Sequence, residues 1–567
     1  NPFGSTVRQF EYIGKDGKKR QSPLNIVGDD DIDGIKHPGV EGAWAKWASK
    51  FSSQMLSKQS NKLAEQQLGL TYNTMKEEFD EINSLTNPTI KKQLLLKFGD
   101  SADSSAKDLK AVSLPRTANH VILPINSLKD NEIYAPGYRN GELVALVRHP
   151  HSGIFEIPVL KVNNKNPEAN SVIPQAKDAV GINHKVASQL SGADFDGDAV
   201  LVIPTNGKTI ASSPPLKALE NFDPKIYYRD DIPKMKSSTK QDEMGKISNL
   251  ITDMSLRDAS EAEIARAVKH SMVVIDAEKH NLDYKSSALQ NDINSLKAKY
   301  QGGTNAGAST LISKASSDQY VPHRLERRAE DGGAIDAKTG KKMYRESGQT
   351  TASPIFDKST NEIIGWKEKP KKTKSYKMAE TDDAFTLSSG TPMEAIYATH
   401  ANKLKSLANE ARKAALATPK LEYSKSAKKV YANEVGSLNA KLNVALKNAP
   451  LERHAQVVGN ISYNQKKDSN PDLSRDDLKK LKNQELAFAR AKLGAKKQNI
   501  VITPKEWEAI QAGAISDNMM QNILKNTDID KVKELAMPRD RPSMSQPNIA
   551  RAKAMLNNGY TQADVAQ

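Results

Sequence analysis

Three carboxylates alternate in the stretch Asp194-Phe195-Asp196-Gly197-Asp198, which runs directly into the apolar segment Ala199-Val-Leu-Val-Ile203. In an extended chain successive side chains point to opposite faces, so the aspartates would converge on one side while Phe195 packs on the other. Neighbouring carboxylates repel one another unless a cation lies between them, and oxygen ligands favour a hard ion, Mg²⁺ or Mn²⁺. The pattern therefore predicts a metal site at the end of a buried strand, which is typical of phosphate chemistry.

A calcium-binding loop is the main alternative for alternating aspartates. Such a loop has Gly at its sixth position and Glu at its twelfth. Counted from Asp194, these positions hold Ala199 and Thr205, and the residues beyond have the pattern of a strand. The segment 29–34 matches the first half of a calcium loop but has Val40 at the twelfth position, so we interpret it as an exposed acidic turn.

Strand-like runs precede the aspartates in a definite order. Asn140-Gly141 is a two-residue hairpin signal, and the apolar run 142–147 follows it. Arg148-His149-Pro150 comes next, and then a second apolar run, 155–162. After a loop, the segment 180–193 leads into the aspartates.

This order of strand, Arg-x-Pro, strand, loop and Asp-Phe-Asp-Gly-Asp resembles the catalytic double-psi β-barrel of the two-barrel RNA polymerases. That superfamily includes the large subunits of cellular RNA polymerase, the RNA-dependent RNA polymerases of gene silencing and single-chain bacteriophage polymerases. The resemblance implies an α+β, multidomain protein whose double-psi β-barrel is embedded in helical domains. It also implies that Asp194, Asp196 and Asp198 are catalytic and bind Mg²⁺, and that Arg148 binds the substrate nucleotide near its sugar. The resemblance gives the two histidines beside Arg148 no role.

Two amphipathic helices are predicted after the barrel, and they are similar to a region of the gene-silencing polymerases. Apolar residues recur at helical spacing in 244–254 and again in 264–275. Ser260 and Glu263 form a capping box at the start of the second helix. Asp276-x-x-Lys279 closes that helix, as a similar motif does in the gene-silencing enzymes. By its place after the barrel, this region would cross the active-site cleft.

The resemblance implies the catalytic subunit or fragment of a phage DNA-directed RNA polymerase, which adds nucleoside triphosphates to the RNA 3′-end with Mg²⁺. Its partners would be a DNA template, the RNA product, nucleoside triphosphates and a second polymerase chain or upstream fragment. That partner would carry a lysine-bearing barrel, since the first 111 residues hold too few strand-like runs for one. Two alternatives remain open: an RNA-templated RNA polymerase, and a non-catalytic nucleic-acid-binding virion protein.

Composition agrees with a partner that is a polyanion. The chain has 83 Lys and Arg against 68 Asp and Glu, a net charge of +15. It contains no cysteine, which excludes disulfides and cysteine-ligated zinc modules. No long apolar run and no signal peptide are evident. We therefore expect no membrane association, and location in the host cytoplasm or packaging in the virion.

Changes in composition and periodicity along the sequence suggest seven segments. They are an N-terminal strand and loop segment that could end a first barrel (1–41), a helical linker beginning near Ala43 (42–111), the catalytic barrel (112–206), the helical region crossing the cleft (207–300), a mobile hairpin insertion with a basic run (301–376), a helical domain (377–500) and a C-terminal helical segment (501–567). Residues 549–567 resemble the opening of a helix-turn-helix. The chain starts without Met and ends within that motif, so we expect a piece of a longer polypeptide.

Overall fold

The protein has an α+β fold in which a nearly closed six-stranded barrel is surrounded by helices. The computed structural model describes residues 7–8, 11–13, 19–21, 25–26, 50–149, 151–173, 179–190, 193, 195, 198–304, 306–356, 363–470, 473, 475–496 and 499–537. The predicted fold class is therefore confirmed.

Short strands form the described part of the N-terminal segment. They are β1 (Val7–Arg8), β2 (Glu11–Ile13), β3 (Lys19–Gln21) and β4 (Asn25–Ile26). β1 pairs with β4, and β2 pairs with β3, both antiparallel. The sequence Lys15-Asp-Gly-Lys-Lys-Arg20 predicts the tip of a hairpin, but Lys19 and Arg20 lie in β3 and pair with β2. The acidic turn at 29–34 lies outside the described residues.

A helical layer precedes the barrel. Its elements are β5 (Lys50–Phe51), α1 (Ser53–Leu56), α2 (Asn61–Asn83), α3 (Pro88–Asp108) and β6 (Ala111–Val112). The predicted helix from Ala43 onward is wrong at Phe51, because this residue lies in β5 and pairs with Ala111. Phe51 is buried as expected, but a partner sixty residues later determines its backbone conformation. The helical spacing of Trp44, Trp47 and Phe51 predicts one shared buried face, and the two tryptophans lie outside the described residues.

The barrel contains six strands and two short helices. They are β7 (Ala118–Pro124), β8 (Glu132–Ile133), β9 (Leu143–Val147), β10 (Val159–Val162), α4 (Pro167–Val172), β11 (Ala179–Ile182), α5 (His184–Gln189) and β12 (Ala199–Pro204). Their spatial order is β11-β7-β12-β9-β10-β8. Alternating apolar side chains of these strands fill one core, which includes Val144, Leu146, Val200 and Val202.

The two edge strands of this sheet almost meet. Tyr134 N donates to Gly181 O at 2.9 Å, and Gly181 N donates to Tyr134 O at 2.8 Å, beside the ends of β8 and β11. A Cβ at Gly181 would lie 2.5 Å from the Ile125 side chain, so this approach requires glycine. The predicted hairpin at Asn140-Gly141 is wrong in its pairing, since the turn leads into β9, whose partners are β10 and β12.

Helices follow the barrel as predicted. They are α6 (Ser237–Leu256), α7 (Glu261–His280), α8 (Tyr284–Gln290), α9 (Ile293–Gln301) and α10 (Leu311–Lys314). The capping box of Ser260 and Glu263 is present at the start of α7. Ile247, Leu250 and Met254 form the buried stripe of α6. The sequence pattern therefore located both helices and the buried face of α6. On α7 the predicted apolar stripe is buried only at Val268, because Met272 and Ile275 line a cavity instead.

Paired strands then form a hairpin module. They are β13 (Asp318–Pro322), β14 (Arg324–Glu326), β15 (Tyr344–Glu346), β16 (Thr350–Phe356), β17 (Ile363–Pro370) and β18 (Lys372–Tyr376). β13 pairs with β18, β14 with β15 and β16 with β17, all antiparallel. The sequence of this insertion predicts two hairpin turns, at 336–340 and at 357–361. The first is confirmed, since Gly340 N donates to Asp336 O at 2.8 Å, and the second lies outside the described residues.

The remaining elements are helical. They are α11 (Pro392–Ala417), α12 (Lys425–Val430), α13 (Ala432–Ser469), α14 (Arg475–Leu493), α15 (Pro504–Gln511), α16 (Asp517–Leu524) and α17 (Ile529–Ala536). α11 packs along α3 and α2 and closes the largest core of the molecule. Among the described helices, none combines the length and apolar character needed to span a membrane. The helix-turn-helix segment 549–567 lies outside the described residues.

Candidate active site

One end of the barrel brings Arg148 and Asp198 together. β9 and β12 are antiparallel with Val147 opposite Leu201, so the residues that follow Val147 lie beside those that precede Ala199. The Arg148 guanidinium lies 2.9 Å from the Asp198 carboxylate, and each side chain is 22% exposed. The backbone of Asp198 is fixed as well, because its carbonyl accepts from Ile122 N of β7 at 3.0 Å. The pair is thus held by three strands at the barrel mouth.

The other two aspartates of the predicted triad, Asp194 and Asp196, lie outside the described residues. Phe195, between them, packs against the barrel core, as its place in the alternating pattern predicted. In the described part of the chain, no group of three acidic, histidine or cysteine side chains could hold a metal ion. Of the three expected ligands, only Asp198 belongs to this described part. A carboxylate that is partly exposed at a barrel mouth has the donor chemistry that Mg²⁺ requires.

A cavity of about 500 Å³ opens beside the pair. The barrel contributes Arg148, His151, Ser152 and Asp198 to its wall, and the segment 222–225 with helices α6 and α7 forms the rest. Small-molecule sites commonly enclose about 300 to 1,000 Å³. The cavity is therefore large enough for a small ligand.

Helices α6 and α7 give the cavity an apolar side and a charged side. Met244, Ser248 and Ile251 line it at helical spacing on α6. Asp276 and Lys279, one turn apart at the end of α7, also line it. Both residues belong to the Asp-x-x-Lys motif identified in the sequence. The structure therefore places this motif in the same cavity as Arg148 and Asp198.

Cations and carboxylates are equal in number on the cavity wall. They are Arg148, Lys225, Lys279, Asp198, Asp223 and Asp276. Asp194 and Asp196 adjoin Asp198 in the sequence. Such a distribution suits a ligand that carries an anionic group and is accompanied by a cation.

Lys58 forms hydrogen bonds with the backbone of the loop that follows Arg148. The Lys58 ammonium donates to the carbonyl oxygens of His151 at 3.3 Å and Ser152 at 2.7 Å. The buried Glu156 carboxylate accepts from Ser152 N at 2.5 Å. Burial lowers the pKa of Lys58 to about 8, although the Glu156 charge acts in the opposite direction. This enclosed charge pair determines the path of the loop beyond Arg148.

His151 presents an imidazole to the same cavity. Both ring nitrogens are buried, and the described residues offer neither of them a hydrogen-bond partner. Burial is the main reason that the pKa of His151 lies well below its usual value, and the Lys58 charge lowers it further. The imidazole is therefore neutral at pH 7 and can both donate one hydrogen bond and accept another.

The resemblance found in the sequence gave roles to Arg148 and Asp198, which the structure places 2.9 Å apart, but it gave no role to Lys58, Lys225 or His151. Lys58 lies in a segment of ordinary helical composition, and nothing in its periodicity distinguishes it from exposed lysines. Its contacts depend on how the helical layer packs against the barrel. Only the folded chain reveals them.

No protein-family profile matches the sequence, and no curated protein matches it. Among solved structures, the RNA-dependent RNA polymerase QDE-1 from Thielavia terrestris is similar, with a TM-score of 0.38 and 12% sequence identity. The match covers 91% of this chain and 57% of that polymerase, so this chain spans little more than half of its length. At this TM-score and identity, the likeness assigns neither a family nor an activity to the chain.

Proposed function

We propose that this chain carries the catalytic barrel of a bacteriophage-type, DNA-directed RNA polymerase that adds nucleoside triphosphates to an RNA 3′-end. The observation that carries the proposal is the placement of Asp198, the last residue of Asp-Phe-Asp-Gly-Asp, beside Arg148 at the mouth of a six-stranded barrel. Arg148 and Asp198 are distant in sequence, and their contact at one cavity supports a shared role.

Asp194, Asp196 and Asp198 are the proposed Mg²⁺ ligands, and they need no protein nucleophile beside them. Bound Mg²⁺ supplies a Lewis acid that lowers the pKa of the RNA 3′-hydroxyl and neutralises phosphate charge. Arg148 orients the incoming nucleotide. Its present partner is the Asp198 carboxylate, and exchanging that contact for one with the nucleotide would leave Asp198 available as a ligand.

The cavity has room and cationic side chains for the nucleotide. Lys279 on α7 and Lys225 in the segment 222–225 lie on the cavity wall, together with Arg148 on the barrel. A triphosphate carries about four negative charges, and the three cations of the described cavity wall are already matched by the carboxylates of Asp198, Asp223 and Asp276, so little positive charge is left for it. We therefore propose that a second polymerase chain or an upstream fragment contributes a lysine-bearing barrel to the complete site.

An RNA template is the second candidate. Asp276 and Lys279, the motif that is similar to the gene-silencing polymerases, line the cavity itself. This position favours a functional over a purely structural role for the motif. The sugar of the template strand is not specified by any residue of the described cavity.

Primer extension separates these possibilities. The chain is purified alone and co-expressed with its upstream sequence, and each preparation is offered a primed single-stranded DNA or RNA template with Mg²⁺ and nucleoside triphosphates. The proposal expects RNA synthesis on DNA by the co-expressed protein and very little by the chain alone. Extension confined to the RNA template would establish the second candidate. Undiminished extension by the chain alone would contradict the need for a second barrel.

A further inference from the structure

A long exposed ribbon extends through β17 and β18, which are separated by the single residue Lys371. The Lys371 backbone N donates to Gln349 O at 2.9 Å, so the chain continues as one strand from the β16–β17 pair into the β13–β18 pair. Residues two apart in a strand point to the same face, so Lys367, Lys369 and Lys371 form one row at intervals of about 6.6 Å. Lys367 and Lys369 are exposed, and Lys371 is partly buried.

The neighbours of this row are uncharged. Ser353 is opposite Lys367, and Thr351 is opposite Lys369. The Lys371 ammonium donates to Gln349 Oε1 at 3.0 Å. Between 349 and 353 on one strand and 367 and 371 on the other, this face of the described ribbon contains no carboxylate. We call these residues the lysine face.

The acidic residues of the ribbon lie on its other face. Glu368 accepts from the Thr350 hydroxyl at 3.3 Å, and Asp318 pairs with Lys374 at 2.7 Å. Trp366, which is 64% exposed, is on that face too. The ribbon therefore separates a mixed, partly apolar face from a face that carries positive charge alone.

We propose that the lysine face binds the phosphate backbone of a single strand of nucleic acid. Three ammonium groups in a row repel one another, and an anionic ligand of matching repeat would relieve this repulsion. Successive phosphates of an extended polynucleotide have a comparable repeat, and a single strand can follow a flat ribbon. The hydroxyl groups of Thr351 and Ser353 add donors to phosphate oxygens. The choice of nucleic acid over another polyanion rests on the proposed function.

Fluorescence anisotropy of a labelled oligodeoxythymidine tests this proposal, without nucleoside triphosphate or Mg²⁺. The K367Q/K369Q/K371Q variant should bind at least about tenfold more weakly at low salt. The slope of log affinity against log salt should become shallower by about two, because about 0.7 counterions are released per phosphate of a single strand. Because these side chains point away from the core, the thermal melting of the variant should match that of the wild type.

The matched control is K425Q/K428Q/K429Q, which removes the same charge from exposed lysines of α12. Its affinity should stay within about twofold of the wild type. An equal loss in both variants would show that only net charge matters and would overturn the proposal, as would no loss in either. The assay contains no catalytic step, so failure here leaves the polymerase proposal to its own extension test.

Discussion

Lys58 holds a loop that follows it by more than ninety residues, and the position of Arg148 depends on that loop. An enclosed ammonium is costly, because burial lowers its pKa to about 8. The two carbonyl oxygens offset this cost by accepting hydrogen bonds from the ammonium. The Glu156 carboxylate offsets it by charge attraction. Buried charge pairs of this kind determine geometry more than they add stability. We infer that Lys58 is a positioning residue for the barrel mouth.

The Lys58→Met substitution tests this role. It leaves Glu156 and the carbonyls of His151 and Ser152 without their cation, so we expect the free energy of unfolding to fall by about 3 kcal/mol. Urea denaturation measures the change. Lys62→Met, at an exposed position of α2, is the control and should change the free energy by less than about 0.5 kcal/mol. Equal stability of the two variants would show that Lys58 does not anchor the loop.

α7 joins the cavity wall to α8 through His270. This residue is 4% exposed, and its Nδ1 lies 3.1 Å from the Ser287 hydroxyl on α8. Burial lowers the pKa of His270 to about 4. The folded pKa lies below the unfolded value, so the stabilising contribution is present above about pH 6.5 and is lost as the pH falls towards 4.

Acid should therefore destabilise the α7–α8 contact. Between pH 7 and 4.5, His270 should account for a loss of about 2 to 3 kcal/mol in the free energy of unfolding. In His270→Gln this part of the pH dependence should disappear, whereas His454→Gln, at an exposed position, should keep it. Denaturant titrations at the two pH values measure the difference. Parallel pH profiles for wild type and His270→Gln would contradict the assignment.

Elements with a local cause were predictable from the sequence. α6 and α7 were predicted from their 3.6-residue periodicity, and the start of α7 from the Ser260–Glu263 capping box. Both signals depend on residues only one or a few helical turns apart. The barrel strands follow from apolar runs between turn signals. Phe51 was assigned to a helix because its partner, Ala111, lies beyond three helices. Pairing between strands so far apart in the sequence produces no periodic pattern in either segment.

The site was predictable to a similar extent. Asp198 was singled out by its place in the alternating aspartates, and Arg148 by the resemblance of its Arg-x-Pro segment to the polymerase barrel; their roles stay predictions. Their 2.9 Å contact follows from the β9–β12 register, which the sequence does not specify. Lys58 and His151 were missed, because their environment is created by packing between layers. The positions of Asp194 and Asp196 stay predictions, since both lie outside the described residues.

The whole molecule carries a net charge of +15, from which we predict how the proposed complex with nucleic acid responds to salt. Binding through phosphates releases counterions, so affinity should fall steeply with salt and vary little with sequence. With about six phosphates contacted, the loss between roughly 50 and 200 mM salt should be near a thousandfold. Anisotropy titrations with oligonucleotides of different sequence measure both properties. A salt-insensitive, sequence-selective complex would contradict this and favour the helix-turn-helix interpretation of 549–567.

The central claim is that the three aspartates hold the ion used for nucleotidyl transfer. Removing one ligand leaves the ion under-coordinated, and metal catalysis contributes several kcal/mol to the stabilisation of the transition state. Asp196→Ala should therefore abolish synthesis and leave folding and nucleic-acid affinity close to wild type. Asp331→Ala, at an exposed position of the hairpin module, removes the same charge and should retain activity.

The most direct measurement compares Mg²⁺-dependent primer extension by the wild type, Asp196→Ala and Asp331→Ala, each co-expressed with the upstream sequence. The account predicts extension by the wild type and Asp331→Ala and none by Asp196→Ala, although all three bind the primed template. Full extension by Asp196→Ala would contradict it.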